Sequence, residues 1–261
     1  MTDPKPLAGK TAVVTGASRG IGKAIALEFA RAGADLAILS RTAPELEKVA
    51  EEARAMGVQC HVVTGDLADP ASARDAADQV AAALGSVDVL MNNAGADLSY
   101  GIEVKDSDPM TWWRTIEVNV FGVYLITKFL LDHINEGGKI INMSSGMGKT
   151  PAPGQSSYVV SKAGLHIFTE VLANELWPRK IDVNNLIPGP VATDMFNWAG
   201  KDRAYTAEEV LEKFKDGLPP MFPPMERMKP VGEVADLALY LATRPVGGPT
   251  GQTYSIARRP M

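Results

Sequence analysis

The chain has 261 residues, 46% of them apolar and 22% charged, with a formal net charge of −5. That balance can bury a large core and excludes a disordered or fibrous polymer, and the acidic total, with no Lys/Arg-rich block, excludes a nucleic-acid partner. The single cysteine, Cys60, excludes an internal disulfide and, set in the apolar run Val58–Val63, reads as a buried strand thiol in a reducing cytoplasm.

Residues 1–8 carry no apolar leader segment and read as a solvated tail. Short β-rich runs then alternate with helical patterns: Thr11–Thr15, Asp35–Ser40, Val58–Val63, Val87–Met91, Lys139–Met143 and Ile181–Asn185. A seventh, Thr253–Ile256, follows a helix over Val231–Ala242. The alternation predicts βαβ units and a parallel sheet in one α/β domain over 1–261. The longest apolar stretch, Val118–Leu131, contains Asn119, Thr127 and Lys128 and falls short of the roughly 18 residues of a membrane span, so a buried helix and no membrane partner are expected. Residues 195–229 break the rhythm, with a helix at Thr206–Lys215 and the Pro-rich run 218–225. An insertion of this kind carries function or forms a lid.

The segment Thr15-Gly-Ala-Ser-Arg-Gly-Ile-Gly22 follows an apolar strand and opens a helix, Lys23–Arg31. Its three glycines let the backbone turn sharply at a helix N-terminus, where a pyrophosphate would sit. The spacing is neither G-x-G-x-x-G nor a Walker loop. Gly16-x-Ser18-x-Gly20 also matches the nucleophile elbow of hydrolases, but His61, His133 and His166 are the only histidines, and none stands in the late loop position that such an enzyme requires. The glycines are better used for phosphate, and His166 reads as helix packing or a subunit contact. Where an acidic residue would hold a ribose 2′-hydroxyl, the chain has Ser40-Arg41-Thr42. Arg41 and Arg19 would instead grip a 2′-phosphate in the forked guanidinium geometry, so NADP(H) is the expected cofactor.

Tyr158 and Lys162 are four residues apart, and on a helix they share one face. A cation beside a phenol favours the phenolate and draws its pKa down towards the range in which a general acid works. Alone, that spacing is equally what a surface Tyr and Lys would show.

Taken together, Thr15-Gly-x-x-x-Gly-x-Gly22, Asn92-Asn-Ala-Gly95, Asn119, Ser145, Tyr158-x-x-x-Lys162 and Pro188-Gly189 resemble, in order and spacing, the short-chain dehydrogenases/reductases over nearly the whole chain. The resemblance implies a Rossmann-type doubly wound parallel sheet of about seven strands, order 3-2-1-4-5-6-7, with helices on both faces. It implies Tyr158 as proton donor and Ser145, rather than Ser144, as the hydroxyl that polarises the substrate carbonyl. By the same resemblance Lys162 lowers the phenol's pKa and bonds the nicotinamide ribose, while Asn119 holds a water that connects Lys162 to solvent. The cofactor would be bound by Gly16, Ser18, Arg19, Gly20, Ile21, Gly22, Ser40, Arg41, Asp66, Leu67, Asn93, Ala94, Gly95, Tyr158, Lys162, Pro188, Gly189, Val191 and Thr193. Asp66 would meet the adenine, and Val191 and Thr193 the carboxamide. No metal is required. A homo-dimer or homo-tetramer through the helices bearing Asn119 and Tyr158 is implied as well.

The chain departs from the family after its last strand, where Arg258-Arg259 replaces the glycine pair of many relatives and puts the tetramer in doubt. Met195, Phe196, Trp198, Met221, Phe222 and Met225 make an apolar substrate region suited to a bulky ketone or aldehyde, although core packing explains them equally. Lys201, Arg203, Lys213, Lys215, Arg227 and Lys229 could instead receive an acidic acyl carrier protein, or form a solvated face. The function expected is NADPH-dependent carbonyl reduction. The alternatives are a 3-oxoacyl-[acyl-carrier-protein] reductase and, from another class, an NADP(H)-binding module without turnover.

Overall fold

Strands β1 (Thr11–Thr15), β2 (Asp35–Ser40), β3 (Cys60–Thr64), β4 (Val87–Asn92), β5 (Ile134–Met143), β6 (Asp182–Ile187) and β7 (Thr253–Ser255) form one sheet in the order β3-β2-β1-β4-β5-β6-β7. Every neighbouring pair is parallel. The computed structural model describes residues 5–193, 206–219, 222 and 225–257. Strand order and helix placement are those implied by the resemblance. The chain order reverses between β1 and β4, so the carboxyl ends of these strands flank a crevice.

Helices α1 (Gly20–Arg31) and α2 (Ala43–Arg54) cover one face together with α8 (Val231–Ala242). There Ile25, Phe29, Leu46, Val49, Val234 and Leu241 pack on Val14, Leu36, Ile38 and Met91. On the other face α3 (Pro70–Leu84), α5 (Gly122–Leu130) and α6 (Ser156–Leu176) set Val80, Ile126, Leu130 and Leu172 against Val13, Leu39, Leu90 and Val183. Burial on both faces is why the central strands read as nearly unbroken apolar runs. Between α3 and α5, α4 (Pro109–Ile116) leads into a π-helical turn, Glu117–Phe121. The helix expected over Val118–Leu131 is therefore interrupted at its start, and Asn119 sits in the wide turn.

Two strand starts shift by two residues or more. β3 begins at Cys60 rather than Val58: the Gln59 N–H goes to Asp35 Oδ1 (2.7 Å), while its O already accepts from Leu36 N–H (2.9 Å). β5 begins at Ile134, five residues before the expected Lys139, with an irregular register opposite Val87–Val89. Among the described residues of the 195–229 insertion, α7 (Ala207–Lys213) starts in a capping box, in which Thr206 Oγ1 accepts from Glu209 N–H and Glu209 Oε2 accepts from Thr206 N–H. Val210 anchors it in a small cluster with Ala192 and Met228. Met195, Phe196, Trp198, Lys201, Arg203, Met221, Arg258 and Arg259 lie outside the described residues.

Lys229 corrects the sequence reading most sharply. It was expected on a solvated or docking face, yet it is 1% exposed and paired with Glu226. Arg227 is likewise bonded to Glu233 of α8. A second buried pair, Lys139 with Asp182, ties β5 to β6, with Lys139 Nζ also donating 3.2 Å to Pro245 O.

Candidate active site

The glycine loop is shaped by contact with the end of β4. Asn93 Nδ2 donates to Thr15 O (3.0 Å) and Gly16 O (3.2 Å), and Thr15 Oγ1 accepts from the N–H groups of Asn93 and Ala94, both at 3.0 Å. A Cβ on Gly16 would lie 2.8 Å from Ala94 Cα, and one on Gly22 would lie 2.2 Å from Gly16 O. Gly16 also sits at φ +66°, open only to glycine at low cost. α1 starts at Gly20, earlier than the expected Lys23. Its N-cap Arg19 makes no side-chain cap and its first turn holds no acid, so first-turn N–H groups and the positive end of the helix face the crevice. That is a cradle for a phosphate group, and the residues fit a pyrophosphate.

Arg41 is exposed at the end of β2. Glu45 at the start of α2 has its pKa lowered by its own backbone N–H and by Thr42, with smaller contributions from the Lys48 and Arg19 charges. No residue from Ser40 to Thr42 is acidic, and Ser40 Oγ donates 3.0 Å to Thr42 O. The Asp66 carboxylate is held by Ala68 N–H (3.0 Å) and by Arg114, while Leu67 O lies against Gly122. Both oxygens of Asp66 thus have protein partners, and an adenine contact there would share them.

On the opposite side, Ser145 follows β5 by two residues and caps the short turn Gly146–Gly148. Its Oγ accepts from Met147 N–H at 3.2 Å and its hydroxyl bonds the Tyr158 phenol. Lys162, one turn along α6, is 4% exposed and donates 2.8 Å to Met143 O. Burial is the leading influence on both titratable groups. It pushes Tyr158 up to about 12, against the Ser145 bond and with a further rise from Asp97, and it pushes Lys162 down to about 8. This corrects the expectation that Lys162 draws the phenol down. The ammonium turns to the Met143 carbonyl and stands 5.6 Å from the phenol ring centroid, so desolvation outweighs attraction. The phenol is therefore protonated through the physiological range.

Asn119 bridges three segments. Its Oδ1 accepts from Ala96 N–H (2.8 Å) and its Nδ2 donates to Ala96 O (2.8 Å) and Ser161 Oγ (2.9 Å). Both amide hydrogens are used, so a water carried by Asn119 would need its backbone carbonyl or the second lone pair of Oδ1. A Cβ on Gly95 would come within 3.1 Å of Asn119 Oδ1 and 3.5 Å of Lys162 Nζ, so Gly95 keeps the space between them open. Thr193 Cγ2 lies 3.5 Å from where a Gly20 Cβ would stand, bringing the loop Pro188–Thr193 against the glycine loop. Val191 is buried and Gly189 turns at φ +65°.

Several contacts around the site were not legible in the sequence. His166 Nε2 lies 3.2 Å from Ser145 O and its Nδ1 3.4 Å from Thr253 Oγ1; burial lowers its pKa, and it braces Ser145 rather than reacting. Asn92 Nδ2 donates to Thr127 Oγ1 and Asn142 Oδ1, Asn142 Nδ2 donates to Thr169 Oγ1, and Thr169 faces Asn185 Oδ1 at 2.9 Å. This buried row crosses β4, β5 and β6 at one level directly below the site. Ser144 Oγ is buried without a protein partner among the described residues, while Ser145 takes the position beside Tyr158.

Residues 10–204 match the family model described as short chain dehydrogenase. An uncharacterised oxidoreductase of Mycobacterium tuberculosis is 35% identical, over 95% of this chain and 90% of the relative. A 3-oxoacyl-[acyl-carrier-protein] reductase of Aquifex aeolicus is 34% identical over 96% of each chain. Among solved structures, a short chain dehydrogenase from Burkholderia cenocepacia in complex with NADP superposes with a TM-score of 0.83 at 33% identity, covering 97% of this chain and 98% of that one.

Proposed function

We propose that this chain, which belongs to the short-chain dehydrogenase/reductase family, is an NADP(H)-dependent carbonyl reductase in which Tyr158 gives the proton. The observation that carries the reading is the Tyr158 phenol bonded to Ser145, with the buried Lys162 ammonium one turn away, opposite the glycine loop. The nicotinamide, when bound, supplies the hydride; everything else is asked of the chain.

The first turn of α1 and Gly16, Ser18, Gly20, Ile21 and Gly22 hold the pyrophosphate, and Arg19 and Arg41 hold the 2′-phosphate, with Ser40 beside them. Leu67, Asn93, Ala94 and Gly95 wall the adenosine side, while Pro188, Gly189, Val191 and Thr193 orient the nicotinamide end. Ser145 donates to the substrate carbonyl oxygen, making its carbon electrophilic. Tyr158, protonated because burial holds its pKa near 12, passes its proton to that oxygen as negative charge develops there. Lys162, held on Met143 O, would bond the nicotinamide ribose. Oxidation of the alcohol runs the same steps backwards, and high pH favours it.

The exposed apolar side chains Trp113, Phe121, Tyr124, Val160, Ile167 and Val171 on α4, the π-helical turn, α5 and α6 support a homo-oligomer through these helices. The second reading, reduction of a 3-oxoacyl thioester, is favoured by the Aquifex relative.

The test is nicotinamide absorbance with NADPH or NADH against a bulky aryl ketone, a small aliphatic ketone and an acetoacetyl thioester, with Tyr158→Phe as control. NADPH oxidation that Tyr158→Phe abolishes supports the reading, and a thioester preference selects the second. NADPH binding without turnover, unchanged by Tyr158→Phe, would leave only a binding module.

A further inference from the structure

The pair Lys229–Glu226 stands where no charge is needed for solubility. Both side chains are 1% exposed, and two buried charges are costly unless their geometry is good. An apolar pair would fill the space at no such cost, so the question is what direction the ions supply. The Lys229 backbone lies alongside the loop that follows β6. Its N–H donates 3.1 Å to Pro190 O, its O accepts 2.9 Å from Ala192 N–H, and it bridges Val191 in parallel.

From there the side chain doubles back beneath the same loop. Nζ donates to Glu226 Oε1 at 2.5 Å and to Arg227 O at 3.3 Å, and a Cβ on Gly189 would come within 3.0 Å of Nζ. The same added Cβ would lie 3.1–3.2 Å from Ala257, so Gly189 is packed against both the ammonium and Ala257. The support is itself anchored: Arg227 is bonded to Glu233 of α8, and Met228 packs with Val210 and Ala192.

We infer that Lys229 and Glu226 are positioning residues that set the height of Gly189, and through it the grip of the 188–193 loop on the nicotinamide half of the cofactor. The inference rests on the reading of this loop given above. The contacts described above tie the pair to residues 189–192 and 226–229, so it should act on the nicotinamide half of the dinucleotide and leave the adenosine half alone.

The experiment compares dissociation constants for NADPH and for 2′,5′-ADP, which carries the 2′-phosphate and adenosine but no nicotinamide. The proteins are wild type, Lys229→Met, Glu226→Gln and the double variant Glu226→Leu/Lys229→Met. The double variant keeps the experiment decisive if a lone buried charge prevents folding, because it leaves none unpaired. The expected result is NADPH affinity lowered on the order of tenfold or more, with 2′,5′-ADP affinity within about twofold of wild type, since a small misplacement of a positioning group is costly only where it acts. Turnover should show the same split, with KM for NADPH raised more than kcat is lowered. Equal losses for the two ligands, or no loss for either despite lower thermal stability, would make the pair purely structural and overturn the inference. Wild type binding 2′,5′-ADP no tighter than 5′-AMP would instead strike the cofactor reading itself.

Discussion

Replacing Lys162 by methionine should raise stability at neutral pH while abolishing NADPH oxidation. The ammonium is buried, and burial lowers its pKa from 10.5 to about 8. Each unit corresponds to about 1.4 kcal/mol, so the charged form destabilises the fold by roughly 3 kcal/mol. Methionine keeps an unbranched chain without the charge but leaves Met143 O without its 2.8 Å donor, a loss of about 1–1.5 kcal/mol. The net gain is about 2 kcal/mol, several degrees in Tm for a chain of this length. Because the folded pKa lies below the unfolded one, the penalty is complete below about pH 8 and is relieved as pH rises towards 10.5. Tyr158 acts in the opposite sense at higher pH: its pKa is raised from 10.0 to about 12, so its stabilisation is lost as pH climbs through that window. Urea denaturation of both proteins at pH 7, 8, 9 and 10, at one protein concentration so that assembly does not intrude, should show a gap that is widest at pH 7 and nearly closed at pH 10. A gap that does not change with pH, or a variant less stable than wild type at pH 7, would refute the reasoning.

Gly22→Ala places a Cβ 2.2 Å from Gly16 O and 2.4 Å from Asn93 Nδ2, and should cost about 3 kcal/mol and NADPH binding with it; Gly20→Ala has 3.5 Å of clearance and only the strain of φ +56°, about 1–2 kcal/mol. Thermal melts of the two side by side check the ranking. Lys139→Met leaves the Asp182 carboxylate buried and unpaired, and should cost about 3–5 kcal/mol by denaturation without changing kcat of the folded enzyme. Arg41→Asp should shift the ratio of kcat/KM from NADPH towards NADH; an unchanged ratio would remove Arg41 from the 2′-phosphate. Asn119→Ala strands the Ala96 N–H and takes a donor from Ala96 O and from Ser161 Oγ, which keeps its bond to Tyr158 O, and should lower stability on the order of 2 kcal/mol and slow turnover.

The parts of the fold legible in the sequence are those in which one physical demand fixes residue type at close spacing. Strands buried on both faces had to be runs such as Ala12-Val-Val14, and a loop touching Ala94 and Asn93 had to be glycine at Gly16 and Gly22. What stayed hidden depends on partners far along the chain. His166 looks like any helix residue until its ring is found on Ser145 O, 21 positions away. Lys229 resembles a solvent-facing lysine until Gly189 is found above it. The phenol's pKa was read from the nearby cation alone, because burial, the larger influence, cannot be counted in a sequence. The π-helical turn at Glu117–Phe121 has only Asn119, set in an otherwise apolar helical pattern, to announce it.

The amide row Asn92–Asn142–Asn185 also gives the sheet a key. Valines, leucines and isoleucines in β4, β5 and β6 are nearly interchangeable, so sliding one strand by two residues would return each side chain to its own face and cost little in apolar contact. The three asparagines share one rung, Asn92 opposite Asn142 and Asn142 opposite Asn185. Any slip would set buried amides against hydrocarbon with their hydrogens unmet. Only one alignment of the three strands is therefore tolerated. It is the one that brings Ala94 to the glycine loop and Ser145 to Tyr158, so the assembly error most damaging to catalysis is also among the hardest for this sheet to make.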